Sequence, residues 1–368
     1  MELGIIGLAR SGKTSLFNAV TRGSAEIGEY SSGREPNVGV VHVPDERVDA
    51  MAAIFQPKRT IYAEIRWVDF PVAGFGVEGP GAQFLAQLAE LDALVHVVRA
   101  FGDASVPHDE GSVDTQRDLE ALDLELTFAD LALIERRISR LEAEMRALRA
   151  GERGEMERQL ALMQRMQLHL EGGVSLRSME FTETEARELR NYRFVTLLPT
   201  LIVVNIGEEQ LPDATSIEAE FTERYGGHSG ETAVVEVAAL SAKLEAELAQ
   251  MEPDDAAEFR DELGLAADSP LDRTIQAAYR LLGLHSFLTV GDDECRAWPV
   301  AVGATAPAAA GKIHTDLERG FIRAEVASWT ELQEAGSLAA LKRAGKLRTE
   351  GKSYVVQDGD VLNILFNV

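Results

Sequence analysis

Short apolar runs and amphipathic stretches alternate along most of this chain, and the period of the alternation changes twice. Leu3, Ile5 and Ile6 form a run long enough for one buried strand, and Ser15 to Thr21 reads as a helix with Leu16, Phe17 and Val20 inward. Strands are predicted over 38–43, 63–69, 93–98, 200–205 and 233–237. Helices are predicted over 48–55, 84–89, 244–263 and 269–284, the last capped near Ser269 with Pro270 in its first turn. From 113 to 191 the pattern differs. Ile134, Ile138, Leu141, Met145 and Leu148 are spaced four, three, four and three apart, the seam of a coiled coil. Residues 150–154 interrupt it, and Met156, Leu160, Met163 and Leu170 resume an apolar stripe. An antiparallel helical hairpin satisfies both stripes. It either projects or packs flat on the core; the glycine-rich turn and charged faces favour projection. Because strand and helix alternate again after it, the hairpin reads as an insertion within one α/β domain. From Ser286 strands dominate, at 287–290, 297–302, 321–326, 353–356 and 361–366, with Asp358-Gly359-Asp360 turning between the last two. The predicted divisions are 1–112, 113–194, 195–284 and 285–368.

Composition narrows the setting. A chain of 368 residues should hold two or three domains, taking on the order of 100–200 residues for each. No apolar run approaches the roughly 18–20 residues of a membrane span, so no membrane partner is expected. The first residues enter a strand at once, which leaves no room for a signal peptide. Cys295 stands alone and is read as a packed thiol, and the absence of any intrachain disulfide makes the cytoplasm the expected compartment. The net charge of −25 opposes non-specific adhesion to nucleic acid or anionic lipid. Specific DNA binding is not expected, and any RNA contact would need a local basic surface.

Candidate chemistry concentrates near the N-terminus. The pattern G-x-x-x-x-G-K-[ST] is met from Gly7 to Thr14, between a predicted strand and a predicted helix. In that setting glycines let the backbone close around an anion, and N–H groups of the loop and helix start point at it. Leu8, Ala9, Arg10, Ser11, Gly12, Lys13, Thr14 and Ser15 are therefore the expected cradle for a nucleoside tri- or diphosphate. Lys13 would reach the β- and γ-phosphates and Thr14 would ligate Mg²⁺, which makes these two the catalytic candidates. Asp69, at the C-terminal end of its strand, is placed to hold the metal's water shell, or else to cap the following loop. Residues 22–37 and 70–81 read as polar and glycine-rich loops that can fold over the phosphates. His96 sits inside an apolar strand and reads as core.

Other stretches complete a family pattern. Residues 306–311, 313–316, 318–326 and 354–360 resemble the C-terminal TGS domain of the YchF family, a branch of the Obg-related translation-factor P-loop NTPases. Residues 35–41 and 43–47 resemble that family's segment after the first switch. The resemblance covers nearly the whole chain. It implies an α/β P-loop G domain with a mostly parallel sheet, an inserted antiparallel coiled-coil hairpin, and a C-terminal β-grasp domain of ubiquitin-like shape. It also implies a cytoplasmic NTPase that uses Mg²⁺ with ATP or GTP and associates with the ribosome or ribosomal RNA.

Base choice follows from one short motif. Ordinary GTPases carry N-K-x-D, whose aspartate accepts from guanine; here Asn205, Ile206 and Glu208 make N-x-x-E. A carboxylate facing the adenine N1 acceptor would be repelled. Family members with N-x-x-E bind ATP at least as well as GTP. The resemblance thus implies Asn205 on the adenine edge, Glu208 turned aside, and Ser241 and Ala242 flanking the base; the alternative is a degraded guanine site. Three departures bear on hydrolysis. Gly33 stands where relatives carry threonine, Asp69 to Gly74 is two residues longer than D-x-x-G, and Phe75 occupies the position of a water-orienting glutamine. The expectation is a regulatory switch with slow intrinsic ATP or GTP hydrolysis. The alternative is a nucleotide-stabilised adaptor that docks ribosome or RNA without turnover.

Overall fold

The computed structural model describes residues 1–23, 25, 36–70, 75–76, 79–108, 111–149, 152–229, 232–263, 265 and 269–367. Gly33, Arg34, Gly74 and Glu78, within the two predicted phosphate-covering loops, lie outside the described residues. In chain order the strands are β1 (Glu2–Ile6), β2 (Asn37–His42), β3 (Arg59–Ile61), β4 (Glu64–Asp69), β5 (Phe75–Gly76), β6 (Gly79–Pro80), β7 (Ala93–Arg99), β8 (Thr200–Asn205), β9 (Gly227–Ser229), β10 (Thr232–Leu240), β11 (Leu284–Thr289), β12 (Glu294–Ala301), β13 (Phe321–Ser328), β14 (Arg348–Glu350) and β15 (Asp360–Phe366). The helices are α1 (Lys13–Thr21), α2 (Glu46–Phe55), α3 (Ala82–Leu88), α4 (Thr115–Ala147), α5 (Gly154–Glu171), α6 (Glu183–Leu189), α7 (Ala214–Tyr225), α8 (Ala242–Leu248), α9 (Pro253–Glu262), α10 (Pro270–Leu281), α11 (Ala306–Ile313), α12 (Thr315–Arg319), α13 (Trp329–Ala335) and α14 (Leu338–Arg343). Packing divides the chain into two units, Met1–Gly39 with Arg66–Thr274, and Val40–Ile65 with Ile275–Val368.

In the first unit the runs without polar alternation are central strands. β1, β7 and β8 are buried along nearly their whole length, as parallel strands covered on both faces must be. The sheet order is β2-β4-β1-β7-β8-β10-β9, with β4, β1, β7, β8 and β10 mutually parallel and β9 antiparallel at the edge. The fold is α/β with mixed sheets. Parallel strands end on one edge, so the loops after Ile6, Asp69, Arg99 and Asn205 gather there. The single helix predicted over 244–263 is two, α8 and α9, because Pro253 cannot continue a helix but can start one.

Helix α4 changes partner halfway along its 33 residues. Leu119, Leu122 and Leu126 pack with sheet residues, among them Val98, Ile6 and Leu94. Ile134 and Leu141 pack instead with Leu162, Met163, Met166 and Leu170 of α5. Asp130 marks the change, accepting from the Val195 and Thr196 N–H groups at 3.2 and 2.8 Å and from the Thr196 hydroxyl at 2.7 Å. Leu148, predicted in the apolar seam, instead ends α4 in an extended conformation. No helix of the described residues is long and apolar enough to cross a membrane.

His96 is buried in β7, between Ile6 on β1 and Ile202 on β8. Burial lowers its pKa to about 4; Asp123 opposes that shift, while Arg177 and Lys13 add to it. A depressed folded-state pKa gives stability that is present above the unfolded value of 6.5 and lost as pH falls towards 4. The expected loss across that window is roughly 3 kcal/mol. Denaturant unfolding at successive pH values should show it in the wild type and not in His96→Leu; parallel profiles for the two would refute it.

The second unit has a sheet of order β14-β13-β15-β11-β12-β3. Residues 40–65, read from sequence with the first domain, group here. β3, which hydrophobic patterning does not reveal, pairs parallel to β12 from Arg59 opposite Glu294 to Ile61 opposite Arg296. α2 buries Val48 and Met51 and packs on β12 and α13. Arg47 fastens its start, with Nε donating to Asp45 at 2.7 Å and Nη1 pairing with Asp358 at 2.8 Å. The strand predicted at 353–356 does not form; Val355 makes only an isolated bridge to Thr305, and the edge strand is β14 instead. The cause is Asp360, whose Oδ2 accepts from the Tyr354 hydroxyl at 2.7 Å and from Gln357 N–H at 2.9 Å, bending the segment around itself.

Candidate phosphate-binding site

The loop leaving β1 turns on two glycines. Gly12 precedes α1 with φ 98°, a left-handed value, and a Cβ there would run into the Asn205 amide nitrogen. A Cβ on Gly7 would strike the Val97 carbonyl of β7. The first-turn N–H groups of α1, which have no intrahelical acceptor, open onto this ring. Leu8, Ala9, Arg10 and Ser15 are half-buried around it, and Ser11 is buried with its Oγ unpartnered. Lys13, only 6% exposed, folds back over the ring, its Nζ donating to Gly7 O at 2.9 Å and Leu8 O at 2.7 Å. Burial pulls its pKa down to about 8, with the Asp69 carboxylate working the other way.

Asp69 closes the opposite side. It ends β4 at 3% exposure, and its Oδ2 accepts from the Thr14 hydroxyl at 2.9 Å and the Asn37 amide at 3.3 Å. Its Oδ1 is buried without a partner. Burial raises its pKa; the Thr14 and Asn37 hydrogen bonds and the Lys13 charge oppose the rise. An unpaired carboxylate oxygen beside a hydroxyl, an ammonium and free N–H groups suits a hydrated Mg²⁺ and phosphate oxygens. Thr14 and Asp69 would hold the metal, and Lys13 with the loop N–H groups the phosphates. The metal would supply charge neutralisation on the phosphates. The described residues contain no group of three or more His, Cys, Asp or Glu able to hold a metal, so its remaining ligands would be phosphate and water.

The sequence placed Asn205 on the base edge. In the structure its Nδ2 donates to Ser11 O at 2.8 Å and its Oδ1 accepts from Ala242 N–H at 2.9 Å. The amide therefore ties the phosphate loop to the loop after β10, and one N–H and one lone pair remain for a base. Ile206 is buried behind it, and Ser241 caps α8 through Leu244 N–H. Glu208 is exposed and accepts from Lys243 Nζ at 3.2 Å. Arg10 Nη1 donates to Pro107 O at 3.0 Å, towards the loop after β7. Lys13, Thr14 and Asp69 are thus brought together, as are Asn205, Ser241 and Ala242. Sequence reasoning missed Asn37 and Lys243. Asn37 follows Pro36 at a strand start and Lys243 follows the Ser241-Ala242 pair, the only signals that either carried.

A family model for the C-terminal domain of YchF GTPases, described as a protein of unknown function (DUF933), matches residues 284–367. The chain is 39% identical to the protein named ribosome-binding ATPase YchF of Bacillus subtilis, with 100% of each chain covered. It is 38% identical to the protein of that name from Escherichia coli O157:H7, covering 100% of this chain and 99% of that one. The structure of the Schizosaccharomyces pombe YchF GTPase aligns with a TM-score of 0.83 at 29% identity, over 99% of this chain and 97% of that one. With identity sustained from end to end and a solved relative of the same fold, this chain belongs to the YchF family.

Proposed function

We propose that this chain is a Mg²⁺-dependent purine-nucleotide-binding protein that associates with the ribosome and hydrolyses ATP or GTP slowly. The cluster of Lys13, Thr14 and Asp69 at the C-terminal edge of the parallel sheet carries the reading. Asn205 supports it by tying the phosphate loop to Ser241 and Ala242, where a base would lie. The names of the Bacillus and Escherichia relatives, ribosome-binding ATPase, and of the Schizosaccharomyces relative, GTPase, support the partner and both purines. In this reading α4 and α5 are an antiparallel hairpin inserted in a G domain, and the C-terminal strands are a β-grasp TGS domain. Slow turnover follows from the sequence, since glycine at position 33 has no hydroxyl to offer the metal.

Base preference tests the reading. Lys243 holds Glu208 to one side, so no carboxylate is offered to guanine, and ATP should bind no worse than GTP. Calorimetry with ATP, GTP and their diphosphates, in Mg²⁺, measures this directly. A GTP preference above roughly a hundredfold, about 2.7 kcal/mol, would sink the adenine reading. Absence of binding by all four would sink the nucleotide reading itself.

A further inference from the structure

The end of the α4–α5 pair farthest from the sheet is built differently from the rest of the molecule. Residues 136–165 hold eight arginines and five glutamates, a positive segment in a chain of net charge −25, and no lysine occurs between Lys58 and Lys243. Four of the eight arginines are spent on structure. Arg137 donates to Gln159, Arg140 pairs with Glu144, Arg165 pairs with Glu185, and Arg153 donates twice to Leu148 O at the end of α4. Arg136 bonds only the Ala132 carbonyl of its own helix. Arg146, Arg149 and Arg158 are exposed and have no carboxylate partner among the described residues. Compensation of the helix dipole accounts for Arg146 alone, in the last turn of α4.

We propose that Arg146, Arg149 and Arg158, with Arg136 beside them, form a contact surface for the phosphate backbone of structured RNA. The inference deepens the proposed association with the ribosome and rests on it. Distance makes it physically possible for so acidic a protein. From Leu126, the last α4 residue packed on the sheet cluster, to the end of α4 is about 30 Å of helix. The screening length at physiological salt is about 8 Å, so a polyanion at this end does not feel the acidic body. The choice of arginine matters too. Its planar fork meets two phosphate oxygens at once and is less strongly hydrated than an ammonium.

The test uses the full chain with two probes, a 20-base-pair RNA duplex and purified ribosomes, each titrated at several KCl concentrations. The variant is Arg146→Gln/Arg149→Gln/Arg158→Gln, which keeps good helix formers. Circular dichroism and ATP calorimetry establish that the variant folds and retains its nucleotide site. The wild type should bind both probes with affinity that falls steeply with salt. The variant should lose roughly tenfold or more on both, and its slope of log K against log salt should shrink by about 0.7–0.9 for each contact removed. Equal affinity and slope for variant and wild type on ribosomes would overturn the inference while leaving ribosome association standing. Loss on ribosomes with unchanged duplex binding would overturn it in favour of an acidic protein partner. Failure of the wild type to bind ribosomes would remove the reading beneath it as well.

Discussion

Lys13→Ala should cost this protein most of its affinity for ATP and GTP alike, on the order of 10²–10⁴-fold. A charged hydrogen bond to phosphate is worth about 1.5–3 kcal/mol, and Lys13 is placed to make two. The net effect is smaller than their gross sum because the ammonium is not idle without ligand: it sits on Gly7 O and Leu8 O. Nucleotide must draw it from those carbonyls, which remain behind in a loop open to water. The variant should therefore fold normally while failing to bind. Calorimetry with both triphosphates measures the loss, and unchanged affinity would put the nucleotide somewhere other than this loop.

Asn205→Ala should behave otherwise, lowering stability and affinity together. The substitution leaves Ser11 O and Ala242 N–H without their partners in a buried setting, at about 1–3 kcal/mol for each group. A loss of roughly 2–4 kcal/mol in unfolding free energy is expected, with ATP and GTP affinity both falling more than about tenfold. Their ratio should stay nearly constant, because the tie positions two loops and reads no base. Denaturant unfolding and calorimetry on one preparation give all three quantities. A changed ATP-to-GTP ratio at unchanged stability would show instead that Asn205 acts on the base edge.

The elements that were legible in the sequence are those whose signal is local. β1, the glycine loop and α1 announce themselves within twenty residues, and β7 and β8 are apolar runs that only buried parallel strands tolerate. Asp69 was legible for a related reason: a carboxylate ending a strand lies at the edge where such sheets bind ligands. The bridge made by Asn205 was not, because Ser11 and Ala242 are distant in sequence and meet it only after the sheet assembles. Asn37 and Lys243 escaped in the same way, each identified by its partner and not by its neighbours. Tyr354 and Val355 looked like strand by composition, and a single buried carboxylate, Asp360, overrode that preference.

The second unit is entered twice by the chain, and this fixes an order of events during synthesis. Val40–Ile65 emerges roughly 200 residues ahead of Ile275, where the remainder of its unit begins, an interval of about 10–40 s at ordinary elongation rates. Throughout that interval β3 has no β12 to pair with, and Val48 and Met51 have no apolar surface to cover them. The nascent protein thus carries an unpaired strand and a greasy helix close behind its phosphate loop until translation is nearly finished. Holding that segment out of trouble falls to chaperones or to the surface of the synthesising ribosome. The C-terminal residues, when they arrive, meet a partner that has been waiting since the first sixth of the chain was made.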